Sequence, residues 1–590
     1  MLVSDMRVSR VLISVVVSLV CSVSARSQAK DNVLIIIADD YGVDMVGCYK
    51  EGNDLPPTPN IDALAKRGIL FRNVWANPSC SPTRGCITTG RFPSRHLIGR
   101  WIAHRSTAHN VGVLTPKEWT LPEVLDRANI GFEHAAIGKW HMNNQTEGAT
   151  PPTKVAGWGT FTGYMGGQTG DYFSWPRVEN EVEKTSTTYM TTAQTDDALS
   201  WIQAQTKPWV CYLAYQAPHL PFHVPPAHMH TQPINSSSSK RAKYKAMIQA
   251  MDWDIGRLFS KLGAATMSKT NVIFIGDNGS IQNMAVAPFN PSRAKGTPYE
   301  GGLNVPLIIA GPSVVGSARE EKSLACAVDV FATVLDMAGA QNGLPPYVVT
   351  DGVSLVPHLK SATAPAVRKF AYAEEFTGTK WPAPLQNGHA ECRNDQFKLI
   401  SWVNGNKGFY DLVTDPWEKN NLHGKTLTAT QTKNFNELKA EISRIRTPLA
   451  RLVPYGSNAC MGSKGVPQLT ARGTPKLGST YTLHLSAAAP LQPALFITGI
   501  SDTSYGGIPL PLKLSPFGAG PNCLLEMSID IGIASTVNVL GGVDTAFTIP
   551  NIPAFVDYPI FHSFLILDPT APNSTLKLVT SRAVAAVIGN

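Results

Sequence analysis

The run Asn32-Val33-Leu34-Ile35-Ile36-Ile37-Ala38 has no polar side chain after its first residue and is dominated by β-branched and aliphatic groups. Its length and composition predict a strand buried on both faces, as in a parallel sheet. Such a strand needs neighbours along both edges and a covering layer on each side. The rest of the chain offers them. Apolar runs at His134–Ile137, Trp209–Ala214, Asn271–Ile275 and Val305–Ala310 alternate with helical patterns. The helices are expected at Asn60–Arg67, with Asn60 as N-cap and Gly68 as stop, and at Leu121–Ala128, Ala193–Gln205, Ala242–Leu262 and Leu324–Ala338. The alternation predicts an α/β fold, a mostly parallel sheet between helices.

The pattern changes twice. After residue 365, short strands at Phe370–Ala373, Phe397–Ser401 and Gly408–Leu412 precede an amphipathic helix at Phe435–Ile445, which reads as a small α+β subdomain. From Gly456 charges become sparse and balanced, and short β-prone runs (Thr480–Leu485, Ala494–Thr498, Cys523–Ile529, Phe561–Leu567) are punctuated by Pro and Gly. That stretch predicts an accessory β-sandwich without catalytic groups, separable near Tyr455. Cys460 and Cys523, its only cysteines, are the natural disulfide pair. The expected domains are a leader over 1–25, an α/β domain over 26–365, an α+β subdomain over 366–455 and the β domain over 456–590.

The leader is inferred from Arg7 and Arg10 flanking the apolar stretch Val11–Val20, followed by Ser22-Val23-Ser24-Ala25. Ten apolar residues are too few to span a bilayer, and no later segment is apolar enough, so no stable membrane span is expected. The expectation is a secreted or periplasmic protein. The net charge of +8 is spread along the chain without a Lys/Arg run, which argues against nucleic acid and suits an anionic small substrate.

Asp39 and Asp40 directly follow the first strand, and Asp277-Asn278 follow the strand at Asn271–Ile275 in the same way. Ligands of open α/β sheets bind beyond the carboxyl ends of strands. Acidic pairs there are often only solvated turns. Two strand ends that together offer three carboxylates and an amide could instead form one oxygen-rich Ca²⁺ or Mg²⁺ site. Cys80-Ser81-Pro82-Thr83-Arg84, trailed by Thr89-Gly90-Arg91, has a Pro favouring a helix start, where anions are attracted, with Arg84 one turn on from Cys80. Taken alone, Cys80 would read as a buried thiol or as the partner of Cys86.

Cys80-x-Pro-x-Arg with its trailing Thr-Gly-Arg resembles the signature of type I, formylglycine-dependent sulfatases of the alkaline phosphatase superfamily. The resemblance extends in order over most of residues 32–422. It takes in Gly138-Lys139-Trp140-His141, Ala217-Pro218-His219-Leu220-Pro221, Gly276-Asp277-Asn278-Gly279 and Lys295-Gly296. Tyr299-Glu300-Gly301-Gly302, Asp351-Gly352-Val353-Ser354-Leu355 and Tyr410-Asp411-Leu412…Asp415-Pro416…Glu418…Asn421-Leu422 complete it. Thr83 stands where Ser is commoner, Cys86 where Ala is, and Asn304 where Arg is.

The resemblance implies hydrolysis of sulfate monoesters of a small molecule or glycan, including aryl sulfates. It implies that Cys80 is converted to formylglycine by a formylglycine-generating enzyme, and that one Ca²⁺ is held by Asp39, Asp40, residue 80, Asp277 and Asn278. A thiolate is a soft ligand among hard oxygens, whereas an aldehyde hydrate offers hydroxyls. Arg84 and Lys139 would hold the hydrate and sulfate oxygens, and Lys295 would neutralise charge on the transferring group. His141 would serve as base and His219 as acid. Tyr164, Tyr172, Phe173 and Trp175, in the Gly-rich stretch between Gly157 and Pro176, could stack on sugars or simply pin the loop. The rival expectations are a phosphatase or phosphonate monoester hydrolase of the same superfamily, and a glycan-binding protein without catalysis.

Overall fold

The structure, a computed structural model, describes residues 30–103, 111–378, 386–458 and 460–590; the expected leader over 1–25 lies outside the described residues. Ten strands build the main sheet: β1 (Asn32–Ala38), β2 (Gly68–Trp75), β3 (Glu133–Lys139), β4 (Thr160–Tyr164), β5 (Trp175–Glu179), β6 (Val182–Ser186), β7 (Trp209–Ala214), β8 (Thr270–Gly276), β9 (Leu307–Ala310) and β10 (Arg319–Cys326). Their spatial order is β10-β2-β9-β8-β1-β7-β3-β4-β5-β6. The five central strands, β8 to β4, run parallel. β9 is antiparallel to both its neighbours.

The first apolar run lies at the centre of this sheet. Val33, Leu34, Ile35, Ile36 and Ile37 are each 0% exposed. Alternate residues feed two cores. Leu34 and Ile36 pack under the helices Met190–Gln203 and Lys240–Met267. Val33, Ile35 and Ile37 pack under Leu121–Ala128 and Asp329–Ala338. At ~2 kcal/mol per buried aliphatic side chain, this strand alone gathers about 10 kcal/mol of gross hydrophobic stabilisation, an upper figure since unfolded chains are partly collapsed. The registers Ala38↔Gly276, Ile37↔Ala214 and Gly138↔Ala214 then bring the carboxyl ends of β1, β8, β7 and β3 to one edge of the sheet.

Some expected boundaries move, each for a tertiary reason. Asn60 does not cap its helix, which runs Pro59–Arg67 behind Thr58. Its free amides are met from outside, where the Asp252 carboxylate accepts from Asn60 N (3.1 Å) and Ile61 N (2.8 Å). The segment expected as one helix over Leu324–Ala338 divides. Its first residues belong to β10, paired in parallel with β2, and the helix starts at Asp329. The Asp329 carboxylate accepts from Cys326 N at 2.8 Å, turning the chain there.

The small subdomain is a four-stranded antiparallel meander of Ala371–Thr377, Gln386–Arg393, Phe397–Trp402 and Lys407–Asp411 under the helix Ala429–Ile445. Gln386–Arg393 was not legible, because Gly388 and its polar residues hide the alternation. Beyond it lie two short two-stranded sheets and two larger antiparallel ones. One contains Arg451–Tyr455, Ala583–Val587, Pro559–Leu567, Pro493–Gly499 and Ile531–Thr536, and the other Gln468–Arg472, Thr480–Ser486 and Val543–Thr548. They pack Leu483, Leu485, Phe496, Phe564 and Ile566 between them. Cys460 and Cys523 form a disulfide. It sits at a turn, so of the expected strand Cys523–Ile529 only Leu524–Leu525 is extended and paired.

This β region is joined to the α/β body through buried polar contacts. Arg91, just past the Cys80 helix, is held by Glu118 (2.8 Å) and by Asp557 from the β region. Tyr347 and Tyr455 both donate to Asp502, at 2.7 and 2.8 Å. A cut at Tyr455 would part the strand Arg451–Tyr455 from its partner Ala583–Val587. Asp557→Ala should therefore lower the unfolding free energy by about 1.5–3 kcal/mol, the range for a hydrogen bond to a charged group, read from the urea midpoint of the full chain. An unchanged midpoint would show that the contact contributes nothing to stability.

Candidate active site

Asp39 and Asp40 continue β1 beyond the sheet edge, and Asp277 and Asn278 continue β8 beside them. Asp277 N donates to Ala38 O (3.0 Å) and Asp40 N to Asp277 Oδ1 (3.1 Å), so the two strand ends are stitched together. Asp40 adopts a left-handed φ of 61°, uncommon for a non-glycine residue. Tyr244 fixes it by donating to its carbonyl at 2.6 Å.

Cys80 is the first residue of the helix Cys80–Thr89, which is buried along its whole length. Its Sγ lies 3.4 Å from Asp39 Oδ1 and 3.4 Å from Lys295 Nζ. One turn on, Arg84 places Nε and Nη2 on Asp277 Oδ2, at 3.2 and 2.7 Å, and Nη1 on the Lys139 carbonyl at 3.0 Å. Lys139, the last residue of β3, pairs with Asp39, and Lys295 pairs with Asp40. His219 Nε2 is 3.6 Å from Asp40 Oδ2, while its Nδ1 donates to Leu220 O at 2.9 Å. His141 Nε2 donates to Ile102 O at 2.8 Å, and its buried Nδ1 has no partner among the described residues. All ten residues expected from sequence thus meet at one edge of the sheet.

The electrostatics follow from burial and crowding. Burial, with Asp277 alongside, pushes the Asp39 carboxyl up to about 7 despite Lys139. Burial would raise Asp40 as well, but Lys295 above all, with Lys139 and a hydrogen bond from Asn278, holds it down to about 2. Lys295 is shifted well above its ordinary range, because Asp40 more than offsets the burial. Burial, abetted by Lys139, drives His141 well below the ordinary imidazole value, and burial lowers His219 to about 3 even though Asp40 opposes it. Both imidazoles are neutral at pH 7. Burial beside Asp277 and Asp39 raises the Cys80 thiol far above its normal range. Cys80 as encoded is therefore a protonated thiol, neither a good nucleophile nor a ligand for a hard cation.

A metal ion fits the donor set. Ligating atoms of Asp39, Asp40, Cys80 and His219 all lie within 4.8 Å of one another. Asp40 Oδ2 and Asn278 Oδ1 are buried with no hydrogen-bond donor among the described residues. Two uncompensated buried oxygens among carboxylates are costly unless a cation meets them. Asp277 is more fully engaged, with one oxygen on Asp40 N and the other on Arg84. The cluster opens onto a cleft of about 800 Å³ lined by Cys80, His141, His219, Lys295, Tyr164 and Trp101 among others.

The Gly-rich aromatic stretch resolves mostly toward the core. Tyr172 and Trp175 are 0% exposed. The Tyr172 hydroxyl lies 2.8 Å from Gln216 O and 2.6 Å from His219 O, fixing the backbone that carries His219. Tyr164 lines the cleft and Phe173 is exposed. Among the departures, Thr83 accepts from Asn77 N at 2.9 Å, Cys86 is a free buried thiol, and Asn304 accepts from Val74 N at 3.2 Å. Sequence reasoning missed Tyr244 and the Ile102 carbonyl, which act through backbone groups that no side-chain pattern signals. It also missed the brace behind Lys295. Glu300 and Glu418 share the buried Lys398 at 3.0 and 2.8 Å, and Glu418 accepts from Glu300 N at 2.7 Å, tying the Lys295 segment to the small subdomain.

Comparison with known proteins gives the family and the fold. The sulfatase family model matches residues 31–340, and the model for the N-sulphoglucosamine sulphohydrolase C-terminal region matches 294–447. N-acetylgalactosamine-6-sulfatase of Canis lupus familiaris is 29% identical over 355 residues, covering 55% of this chain and 65% of that protein, so the chain spans just under two thirds of that relative's length. The uncharacterized sulfatase YdeN of Escherichia coli (strain K12) is 26% identical over 386 residues, covering 57% of this chain and 67% of that one. Among solved structures, BT4656 in complex with its substrate D-glucosamine-2-N,6-O-disulfate superposes with TM-score 0.56 at 24% identity, covering 71% of this chain and 98% of that chain. Ps i-CgsB in complex with k-i-k-neocarrahexaose superposes with TM-score 0.58 at 23% identity, covering 71% and 93%. These superpositions show a shared fold. With a family model spanning more than half of its length and that fold beneath it, the chain belongs to the sulfatase family.

Proposed function

We propose that this chain is an exported, secreted or periplasmic, hydrolase of sulfate monoesters, acting on sulfated carbohydrate and also on aryl sulfates. The observation that carries this reading is the setting of Cys80. It lies at a helix N-terminus between Lys295 and the Asp39–Lys139 pair, one turn from Arg84, where an anionic group would meet several fixed positive charges. The solved relative that holds a sulfated glucosamine supports a sugar substrate.

Cys80 is the site of conversion to formylglycine by a formylglycine-generating enzyme. An aldehyde hydrate at position 80 supplies one hydroxyl oxygen to accept the sulfo group and a second whose deprotonation releases sulfate and restores the aldehyde. Asp39, Asp40 and Asn278, with Asp277 and the oxygen at position 80, would hold a Ca²⁺, whose charge polarises the sulfate oxygens. Arg84 holds Asp277 and the end of β3 rigid, so Lys139 is aimed before substrate arrives. Lys139 and Lys295 stay beside the sulfate oxygens and balance their charge. His141, with Nε2–H spent on Ile102, keeps a lone pair on Nδ1 and takes a proton as a base. His219 donates Nδ1–H to Leu220, so Nε2 must first gain a proton; the negative charge of a bound sulfate favours that step, and Nε2 then delivers the proton to the departing alcohol oxygen.

Mass spectrometry, metal removal and leaving-group kinetics test this. Peptide mass spectrometry of active protein should show the residue-80 aldehyde, and full activity with only an unmodified thiol would overturn its role. Chelation should abolish turnover of nitrophenyl sulfate, and Asp40→Asn should weaken Ca²⁺ binding by calorimetry; undiminished turnover after chelation would remove the metal. A nitrophenolate leaves without help, whereas a sugar alkoxide needs a proton. His219→Ala should therefore lower kcat/KM on a sugar sulfate by about 10²–10⁴ and far less on an activated aryl sulfate. Equal losses would reduce His219 to a sulfate-binding role, and faster turnover of the matching phosphate ester would reassign the site to phosphate.

A further inference from the structure

A second cleft, of about 540 Å³, lies along the seam between the α/β body and the C-terminal β region. Neither the reaction above nor the fold requires it. Its floor is aromatic. Tyr347 comes from the α/β body and Tyr455 and Phe561 from the β region, and the three rings pack edge to face or tilted, with centroids 5.1–5.5 Å apart. Trp119 and Tyr558, both half-buried, stand at its walls. The Arg127 guanidinium stands over one face of the Trp119 ring, 5.6 Å from its centroid, and is tethered by a bond to Gly343 O at 3.1 Å.

One polar group sits in this aromatic setting. Asp502 is 8% exposed and lines the cleft. Both tyrosine hydroxyls donate to the same atom, Oδ2. Among the described residues nothing donates to Oδ1. A carboxylate held rigidly from one side, with a free acceptor on the other, is a prepared partner for a hydroxyl donor. Lys117 and Arg127 line the same cleft.

We propose that this seam binds a carbohydrate chain at a second site, distinct from the Cys80 cleft, with sugar rings against Trp119 and Tyr558 and a ring hydroxyl on Asp502. A pyranose has two C–H faces and a rim of hydroxyls. It needs flat apolar surfaces with fixed acceptors at their edge, which is the layout here. A lipid would leave Asp502 unsatisfied. Because the walls come from both bodies, an occupant would also staple them together.

The test is affinity electrophoresis of the full chain through gels containing a sulfated galactan or the same galactan after desulfation. Turnover of nitrophenyl sulfate is measured in parallel. Trp119→Ala should weaken retention at least about fivefold, the usual threshold for a principal contact. Thr503→Glu replaces an exposed side chain on the wall of the cleft, so the change removes no buried group. It should weaken retention on the sulfated gel, with aryl sulfate turnover unchanged in both variants. Retention undiminished in both variants overturns the proposal, as does equal retention on a gel without polysaccharide. Retention that depends on Trp119 in a protein without sulfate ester turnover would sustain this site while removing the proposed reaction, so the two failures are separable.

Discussion

Three buried carboxylates, Asp39, Asp40 and Asp277, face three cations, Arg84, Lys139 and Lys295, at the ends of parallel strands. The rest of the molecule is arranged around keeping these charges together. Removing one partner from such a pair costs about 3–5 kcal/mol, because the other is stranded in a dry interior. The strand registers set the acids at one edge. The helix Cys80–Thr89 delivers Arg84 from its first turns, and Lys295 arrives from a segment anchored elsewhere. An anion and a cation introduced here would each find compensating charge already fixed in place, so little reorganisation would be needed on binding.

Much of this was legible. The run Asn32–Ala38 announced the sheet because no other environment suits it, and Asp39, Asp40, Asp277 and Asn278 were visible because strand ends in this architecture carry the chemistry. Lys139, His141, His219 and Lys295 came instead from the family resemblance, since each in isolation reads as a structural histidine or a surface lysine. The structure adds why other segments of the resemblance travel with them. Glu300 and Glu418 are not at the reacting centre; they grip Lys398 and so hold the Lys295 segment. Asp351 accepts from Arg95 and from Phe92 N, fixing the chain just past the Cys80 helix.

What could not be read is what depends on distant backbone. No local pattern links Asp252 to the start of the helix Pro59–Arg67, and the expected Asn60 cap was displaced by it. The division of Leu324–Ala338 into strand and helix likewise rests on pairing with β2. The aromatic residues near Tyr172 could have served sugar or core, and burial assigned most of them to the core. The reverse holds for Tyr347, Tyr455 and Phe561. Each looks like ordinary core in its own strand or loop, and only the meeting of two bodies makes them the floor of a cleft.

Arg91, at the far end of the Cys80 helix, is paired with Asp557, which follows it by 466 residues. At about 5–20 residues per second, synthesis takes roughly 25–90 seconds to travel between them. Through that interval the segment bearing Cys80 is already made while one of the charges that will lock it down does not yet exist. Once folded, Cys80 is 1% exposed on a wholly buried helix. If Cys80 is converted as proposed, the macromolecule that converts it would have an appointment with the growing chain, and the late arrival of Asp557 would help set how long that appointment lasts.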